Sequence, residues 1–455
     1  MKMVGIRMLL LALLVLLTRL PFLSQGYGSE DDSWGLVLNA RQMAETGEYS
    51  FSRLPGHPVQ EYVLMLMPYA GAFVMNLLSA LFSVAAVICF AFILRVYKIH
   101  QWLLWSVVFA TIPIIWISST YTIDYIWALA FVLFAWLALL KRRYTLVALF
   151  LGFAIACRIT SGAVLIGFAW IAFRQEGRKL PQVVWMGVLT MVVAACWYFP
   201  SWLRYGWSFF DTYRLPYPSL PKVIYKATFG VWGLSGFIAI LLLLWQKLRN
   251  QADSLLPDGH LTAIILNILL YLAAFLVLPQ KSAFWIPALP FMLFWLVYQI
   301  RKPTLVNITA ILFLLSSITG GFNLANAERG ANYSKAALVR TVAGQEVFFD
   351  PLNGPLQNEY SRRENRQVYI ESAVKAAQKL DSGALVLCGW WTNQFIVNCQ
   401  DQGACQVQVA EFFNKTQLDS VIKSGTRIWY LSEIDQANDE RYQMNYTASV
   451  GRKLD

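Results

Sequence analysis

The sequence predicts a polytopic α-helical membrane protein with a small C-terminal α/β soluble domain on its outer face. Three observations predict it. The 455 residues are 57% hydrophobic, 15% aromatic and only 14% charged, against about 25% charged in an ordinary soluble domain. Apolar runs of roughly 20 residues, long enough to cross a bilayer as helices, recur through residues 1–321. Composition then turns polar, and residues 322–455 hold no further span.

The first run covers residues 4–20. Lys2 and Arg7 come before its apolar core as in a signal peptide, but Arg19 follows that core and no small-residue cleavage site comes before Gly26, so it reads as an uncleaved span. A second span lies within 63–94, with Pro68 marking an interfacial entry helix. The third and fourth occupy 102–118 and 122–140. Residues 145–173 are read as a hairpin of two short spans, broken near Arg158-Ile159-Thr160-Ser161-Gly162. Basic residues flank both ends of that stretch (Lys141, Arg142 and Arg143; Arg174, Arg178 and Lys179), and a hairpin puts both clusters on the cytoplasmic side, which a single span cannot do. The remaining spans are 182–200, 226–245, 261–278, 284–299 and 304–320, about eleven in all. With the N-terminus inside, Arg95, Lys98, Lys247, Arg249, Arg301 and Lys302 are also cytoplasmic. The 21–62 loop, the 201–222 loop, Gln280-Lys281 and the C-terminal tail are then outside. The net charge of +11 comes from these clusters and does not point to nucleic acid.

In the tail, Glu371–Leu380 reads as an amphipathic helix, and Ala384–Cys388 and Arg427–Leu431 as buried strands. Cys89, Cys157 and Cys196 lie in apolar segments as small buried hydrophobes. Of Cys388, Cys399 and Cys405, at most one pair can bridge, and Cys399–Cys405 is the local candidate. They lack a histidine partner or paired C-x-x-C spacing, which argues against zinc. Asn332, Asn414 and Asn445 each begin a glycosylation pattern, too short to decide the host.

The most informative residues are Glu30-Asp31-Asp32, just beyond the first span. Carboxylates beside lipid are costly, so they are pushed into water or kept for chemistry. Ser33–Thr46 looks helical, and Asp31 or Asp32 could simply open that helix. The functional reading is a general base or a ligand for a metal or hydroxyl, its proton affinity tuned by the second carboxylate and the low-dielectric boundary. Outer-facing cations are Arg53, Arg158, Arg204, Arg214, Lys222 and Lys281; headgroup anchoring explains most of them. Arg158 and Lys281 stand out because each sits in a tight turn between spans. His57 lies in a rigid Gly56-His57-Pro58 turn, and Glu61, four positions on, could add a second carboxylate. Asp124 is read either as an intramembrane functional acid or as a helix start. His100 and His260 read as cytoplasmic surface residues.

Two stretches carry a resemblance. Arg19-Leu-Pro, Asp31-Asp32, Asn39-Ala40-Arg41, Thr46-Gly47-Glu48-Tyr49 and Arg53-x-Pro-Gly-His-Pro, in that order, resemble the first outer loop of the GT-C superfamily. Lys281-Ser-Ala-Phe284-Trp285-Ile-Pro287-Ala-Leu-Pro290 resembles the outer start of a late span in the same superfamily. Its members are polytopic glycosyltransferases that use lipid-phosphate-linked sugars, among them the protein O-mannosyltransferases and the lipid A aminoarabinose transferases. The family's acidic pair is often Asp-Glu; here it is Asp-Asp. The resemblance implies an inverting transfer from a polyprenyl-phosphate sugar to a lipid, glycan or protein acceptor; the placement of basic residues puts it on the outer face, and a bacterial inner membrane is expected because the C-terminus shows no retention signal. It makes Asp31 the catalytic base, with Asp32 supporting it or binding a divalent metal. Arg53, His57, Glu61, Arg158 and Lys281 are then the substrate-binding candidates. Competing readings are a transporter or lipid flippase, and a non-catalytic membrane subunit.

Overall fold

The computed structural model describes residues 2–210, 217–249, 256–257, 259–298, 300, 302–324, 334–342, 345–403, 405–411, 413, 415–432 and 450–454. Arg214, Arg301, Asn332, Asn414 and Asn445 lie outside the described residues.

The chain is a largely helical polytopic membrane protein with a mixed α/β region at its C-terminus. Helix α1 (Lys2–Arg19) enters first, and α2 (Asp31–Thr46) and α3 (Pro58–Met65) form the loop behind it. Helices α4 (Gly71–Val96), α5 (Trp102–Thr111), α6 (Pro113–Ser118) and α7 (Tyr125–Leu140) follow. The stretch expected as one span over 102–118 is broken, because Pro113 has no N–H to donate and forces Ile112 out of helical geometry (φ −56°, ψ 124°). Helices α8 (Tyr144–Cys157) and α9 (Val164–Gln175) flank a 3-10 turn over Ile159–Ala163. The Tyr144 hydroxyl donates to Glu176 Oε1 at 2.7 Å, so the start of α8 and the end of α9 meet as in a hairpin and Arg158 sits at the opposite tip. Then come α10 (Leu180–Tyr205), α11 (Leu220–Ala227), α12 (Phe229–Arg249), α13 (His260–Val277), α14 (Leu289–Val297) and α15 (Pro303–Leu315).

Among the described residues, five helices are long and apolar enough to cross a membrane, and six shorter apolar helices accompany them. Their side chains form one continuous core in which Trp105, Trp136, Phe90 and Phe109 are almost fully buried. Helix α12 bends at Gly233, whose φ of +67° favours glycine; a Cβ there would also meet the Ser316 carbonyl oxygen at 2.5 Å. His260, expected at the surface, is buried, with its Nδ1 2.6 Å from the Tyr97 hydroxyl.

Strands β1 (Gly321–Leu324), β2 (Leu338–Val342) and β3 (Gln345–Asp350) make an antiparallel sheet in the order β1-β3-β2. Helix α16 (Pro355–Ala377) is much longer than the amphipathic segment read from the sequence. Strand β4 (Leu385–Leu387), helix α17 (Thr392–Asp401), strand β5 (Gln408–Ala410), helix α18 (Lys415–Lys423) and strands β6 (Ile428–Tyr430) and β7 (Arg452–Lys453) complete the chain. The second sheet is parallel, ordered β5-β4-β6-β7, with Leu385 beside both Gln408 and Ile428. Ile370, Val374, Leu385, Val386, Phe395 and Leu418 pack its core. Cys399 and Cys405 form a disulfide.

Helix α16 fastens this region to the membrane part. Its Glu359 is buried and accepts from Tyr121, Arg362 and Arg363. Arg363, also buried, donates to the carbonyls of Phe22 and Thr120 at 3.1 Å each, and its guanidinium lies 4.2 Å from the Tyr121 ring. Lifting α16 from these loops would leave both buried charges without their Tyr121, Phe22 and Thr120 partners, which is costly, so these hydrogen bonds tie the C-terminal region to the loops it covers.

Candidate active site

Asp31 and Asp32 open helix α2, where their charges oppose the positive end of the helix dipole. Consecutive helical residues point about 100° apart, so the two carboxylates face different walls.

Asp32 faces the membrane part. It forms ion pairs with Arg53 and Lys281, each at 2.5 Å. Lys281, in the turn before α14, also donates to Glu30 at 2.6 Å. Behind them Asp124 at the start of α7 is fully buried; it accepts from Arg53 and, at 2.8 Å, from Arg158. The Arg158 guanidinium lies 4.4 Å from the Tyr125 ring. Three cations (Arg53, Arg158, Lys281) thus meet three carboxylates (Glu30, Asp32, Asp124), and the cluster is balanced. Asp32, Lys281 and Arg53 remain 34%, 33% and 15% exposed, so the cluster opens toward solvent on one side while Asp124 closes the other. Burial alone would raise the Asp32 carboxyl, but Arg53 and Lys281 outweigh it and hold it far below the usual carboxylate range. The Lys281 ammonium shows the converse: burial pulls it down, and Glu30, Tyr125 and Asp32 push it above its ordinary value.

Asp31 faces the C-terminal α/β region. Its Oδ1 accepts from the Asn393 backbone N–H at 3.2 Å and its Oδ2 from the Asn393 side-chain amide at 2.6 Å. Helices α2 and α17 run side by side in the same direction. At their far ends Arg41 donates to Gln400 Oε1 at 2.9 Å and to Asp401 Oδ1 at 2.7 Å. Gly35, one turn after Asp31, permits the approach, since a Cβ there would lie 3.0 Å from the Asn393 amide nitrogen. Burial first, then the charge of Asp32, pushes the Asp31 carboxyl up to about 7, against the hydrogen bonds of Asn393 and Gln394. The neighbouring carboxylates are therefore driven in opposite directions: one locked as an anion, the other poised to exchange a proton near neutrality.

His57 is buried behind Arg53. Its Nδ1 is 2.8 Å from the Cys157 carbonyl oxygen and its Nε2 accepts from Arg53 Nε at 2.9 Å, which fixes the proton on Nδ1. Burial holds its pKa below the ordinary histidine value. Glu61 does not join the cluster. Fully buried, it accepts from the Tyr49 hydroxyl at 2.7 Å, Ser52 N at 2.8 Å, Ser52 Oγ at 2.9 Å and His57 N at 3.0 Å, bracing the loop that presents Arg53 and His57. Arg204 lies apart, donating to the Tyr49 carbonyl at 2.7 Å, and Lys222 is exposed.

The structure thus brings together Asp32, Arg53, His57, Arg158 and Lys281, with Asp31 next along the helix. Glu30, given no role of its own in the sequence analysis, holds Lys281. Sequence reasoning also missed Asn393, because nothing in the tail shows which residue meets α2. Among the described residues, no group of three or more His, Cys, Asp or Glu side chains is placed to hold a metal ion.

No protein-family model and no curated protein sequence matches the chain. Solved structures do. ArnT from Cupriavidus metallidurans bound to undecaprenyl phosphate superposes with a TM-score of 0.53 at 12% identity, covering 98% of this chain and 89% of that chain. The same protein in the apo state gives 0.54 at 12% identity, with 92% and 88% covered. The protein therefore has the fold of ArnT along nearly its whole length.

Proposed function

We propose that this protein is a membrane glycosyltransferase that moves a sugar from a polyprenyl-phosphate-linked donor to an acceptor hydroxyl on the outer face of the membrane. The observation that carries the reading is the pairing of a poised carboxylate, Asp31, with the Arg53–Arg158–Lys281 cluster, within the fold of a protein seen bound to undecaprenyl phosphate. The two elements suit the two halves of such a reaction.

The acceptor hydroxyl needs a base. Asp31, half-ionised near neutrality, takes its proton as the oxygen attacks the anomeric carbon. Asp32 is a poor base because its two cations stabilise the anion; it positions them instead. The bond between the anomeric carbon and the phosphate oxygen breaks, and the polyprenyl phosphate leaves with one more negative charge than the phosphodiester carried. Lys281 and Arg53, which reach solvent, receive that charge, and Arg158 supports it from behind. Inversion at the anomeric carbon accords with attack from the side opposite the phosphate. His57 holds Arg53 in place, and Glu61 holds the loop. The outer-face assignment rests on the distribution of basic residues, and a bacterial inner membrane suits a polyprenyl carrier.

Incubating membranes that contain the protein with a panel of undecaprenyl-phosphate-linked sugars, radiolabelled in the sugar, tests the reading. Label should move to an acceptor, and undecaprenyl phosphate should appear in equal amount. Donors returned intact across the panel would reject it.

A further inference from the structure

A second charged site lies at the other membrane boundary. Near its start, α4 is tied to the outer loop, where Asn76 donates to the carbonyls of Leu23 and Gly26 at 3.0 and 2.8 Å. Arg95 is 19 residues further along, about 29 Å at 1.5 Å per residue, which is the thickness of the hydrocarbon core. There a cavity of about 560 Å³ is lined by Arg7, Arg95, Lys98, His100, Gln101 and Trp102, with Ile99 and Leu103 at its apolar side.

Three features set this cavity apart from an ordinary fringe of basic residues. First, no carboxylate among the described residues forms an ion pair with Arg7, Arg95 or Lys98, in contrast to the balanced cluster at Asp32. Second, the turn that shapes it takes non-glycine residues into left-handed geometry at Lys98 (φ 56°) and Gln101 (φ 57°), a conformation side chains resist. Third, the Gln101 Oε1 is buried with no hydrogen-bond partner. A phosphate accounts for the cations, but an amide oxygen accepts hydrogen bonds and would repel a phosphate oxygen, so it calls for a hydroxyl donor beside the phosphate. Trp102, 5.4 Å from the Arg95 guanidinium, is placed as an interfacial aromatic.

We infer that this cavity binds an anionic phospholipid of the facing leaflet whose headgroup carries a free hydroxyl, as phosphatidylglycerol does. Its phosphodiester lies among Arg7, Arg95 and Lys98, its headgroup hydroxyl donates to Gln101, and its glycerol backbone lies along Ile99 and Leu103. The inference does not depend on the reaction assigned to Asp31.

Native mass spectrometry of the full chain in detergent, titrated with dioleoylphosphatidylglycerol, dioleoylphosphatidylcholine, dioleoylphosphatidic acid or free glycerol phosphate, tests it. Phosphatidylglycerol should bind best. Arg95→Gln with Lys98→Gln should weaken it about thirtyfold, roughly fivefold for each charge removed, while Arg142→Gln with Arg143→Gln should leave it unchanged. Gln101→Leu, which keeps every charge, should erase the preference for phosphatidylglycerol over phosphatidic acid. Equal losses in the two double variants, or a preference that survives Gln101→Leu, would overturn the inference. Displacement of the lipid by equimolar glycerol phosphate would overturn it in favour of a soluble phosphate.

Discussion

Replacing Asn393 by Ala removes the amide that donates to Asp31 Oδ2 at 2.6 Å and leaves the longer backbone N–H bond at 3.2 Å in place. A hydrogen bond to a charged acceptor contributes about 1.5–3 kcal/mol. Asp31 keeps contact with water, so the lower value applies. One pKa unit corresponds to about 1.4 kcal/mol. The bond favours the ionised carboxylate, so its loss raises the pKa, from about 7 to about 8. A base half-ionised at pH 7 then becomes about one-tenth ionised, and transfer at that pH falls about fivefold. At pH 9 the variant and the wild type should converge, since both are then mostly ionised. The assay is the initial rate of sugar transfer in proteoliposomes between pH 5.5 and 9.5. The ascending limb should move up by about one unit with its plateau retained. A loss of the same size at every pH would refute the reasoning, because it would mean that Asn393 serves the architecture and does not set the proton affinity of Asp31.

Two further outcomes follow from the cation cluster. Asp124→Asn leaves Arg53 and Arg158 buried without their shared anion and should destabilise the protein by about 3 kcal/mol, the low end for a broken buried pair because Arg53 keeps Asp32; detergent unfolding measures it, and a change below about 1 kcal/mol would contradict the assigned role. Lys281→Gln should raise the donor KM about tenfold, the loss of one charge-assisted hydrogen bond, with Lys281→Arg restoring most of it; an unchanged KM would remove Lys281 from the phosphate site.

Much of the fold was legible because membrane spans depend on long apolar runs, and those can be read without knowing their neighbours. The hairpin over 145–173 followed from charge placement alone, and the strands at 385–387 and 428–430 from short apolar runs. The disulfide between Cys399 and Cys405 was readable from local spacing. What escaped depended on contacts far apart in the chain. Helix α16 is mostly polar over its first turns, because that stretch buries Glu359 and Arg363 against the loops of the membrane part and not against an apolar core, so hydrophobic periodicity located only its C-terminal end, from Glu371 on. His260 looked like a loop residue until Tyr97 was placed beside it. Asp31 and Asp32 were conspicuous as a pair, but adjacent residues of a helix diverge, and only their partners distinguish them: Lys281 and Arg53 for one, Asn393 for the other. Glu61 looked like a second acid for the site, yet its four donors are all within the 49–57 segment and make it a brace.

The central claim is that Asp31 removes the acceptor proton. The measurement that bears on it most directly compares wild type and Asp31→Asn at pH 8 for release of undecaprenyl phosphate from the donor the wild type uses, with donor affinity measured on the same preparations. The amide keeps the size of the carboxylate but cannot accept the proton. The account predicts a fall in turnover of about 10²–10⁴-fold with donor affinity within about twofold of wild type, since the Arg53–Lys281 cluster is untouched. Equal turnover in the two proteins would contradict it, and would leave Asp31 as the residue that fastens helix α17 to helix α2 and nothing more.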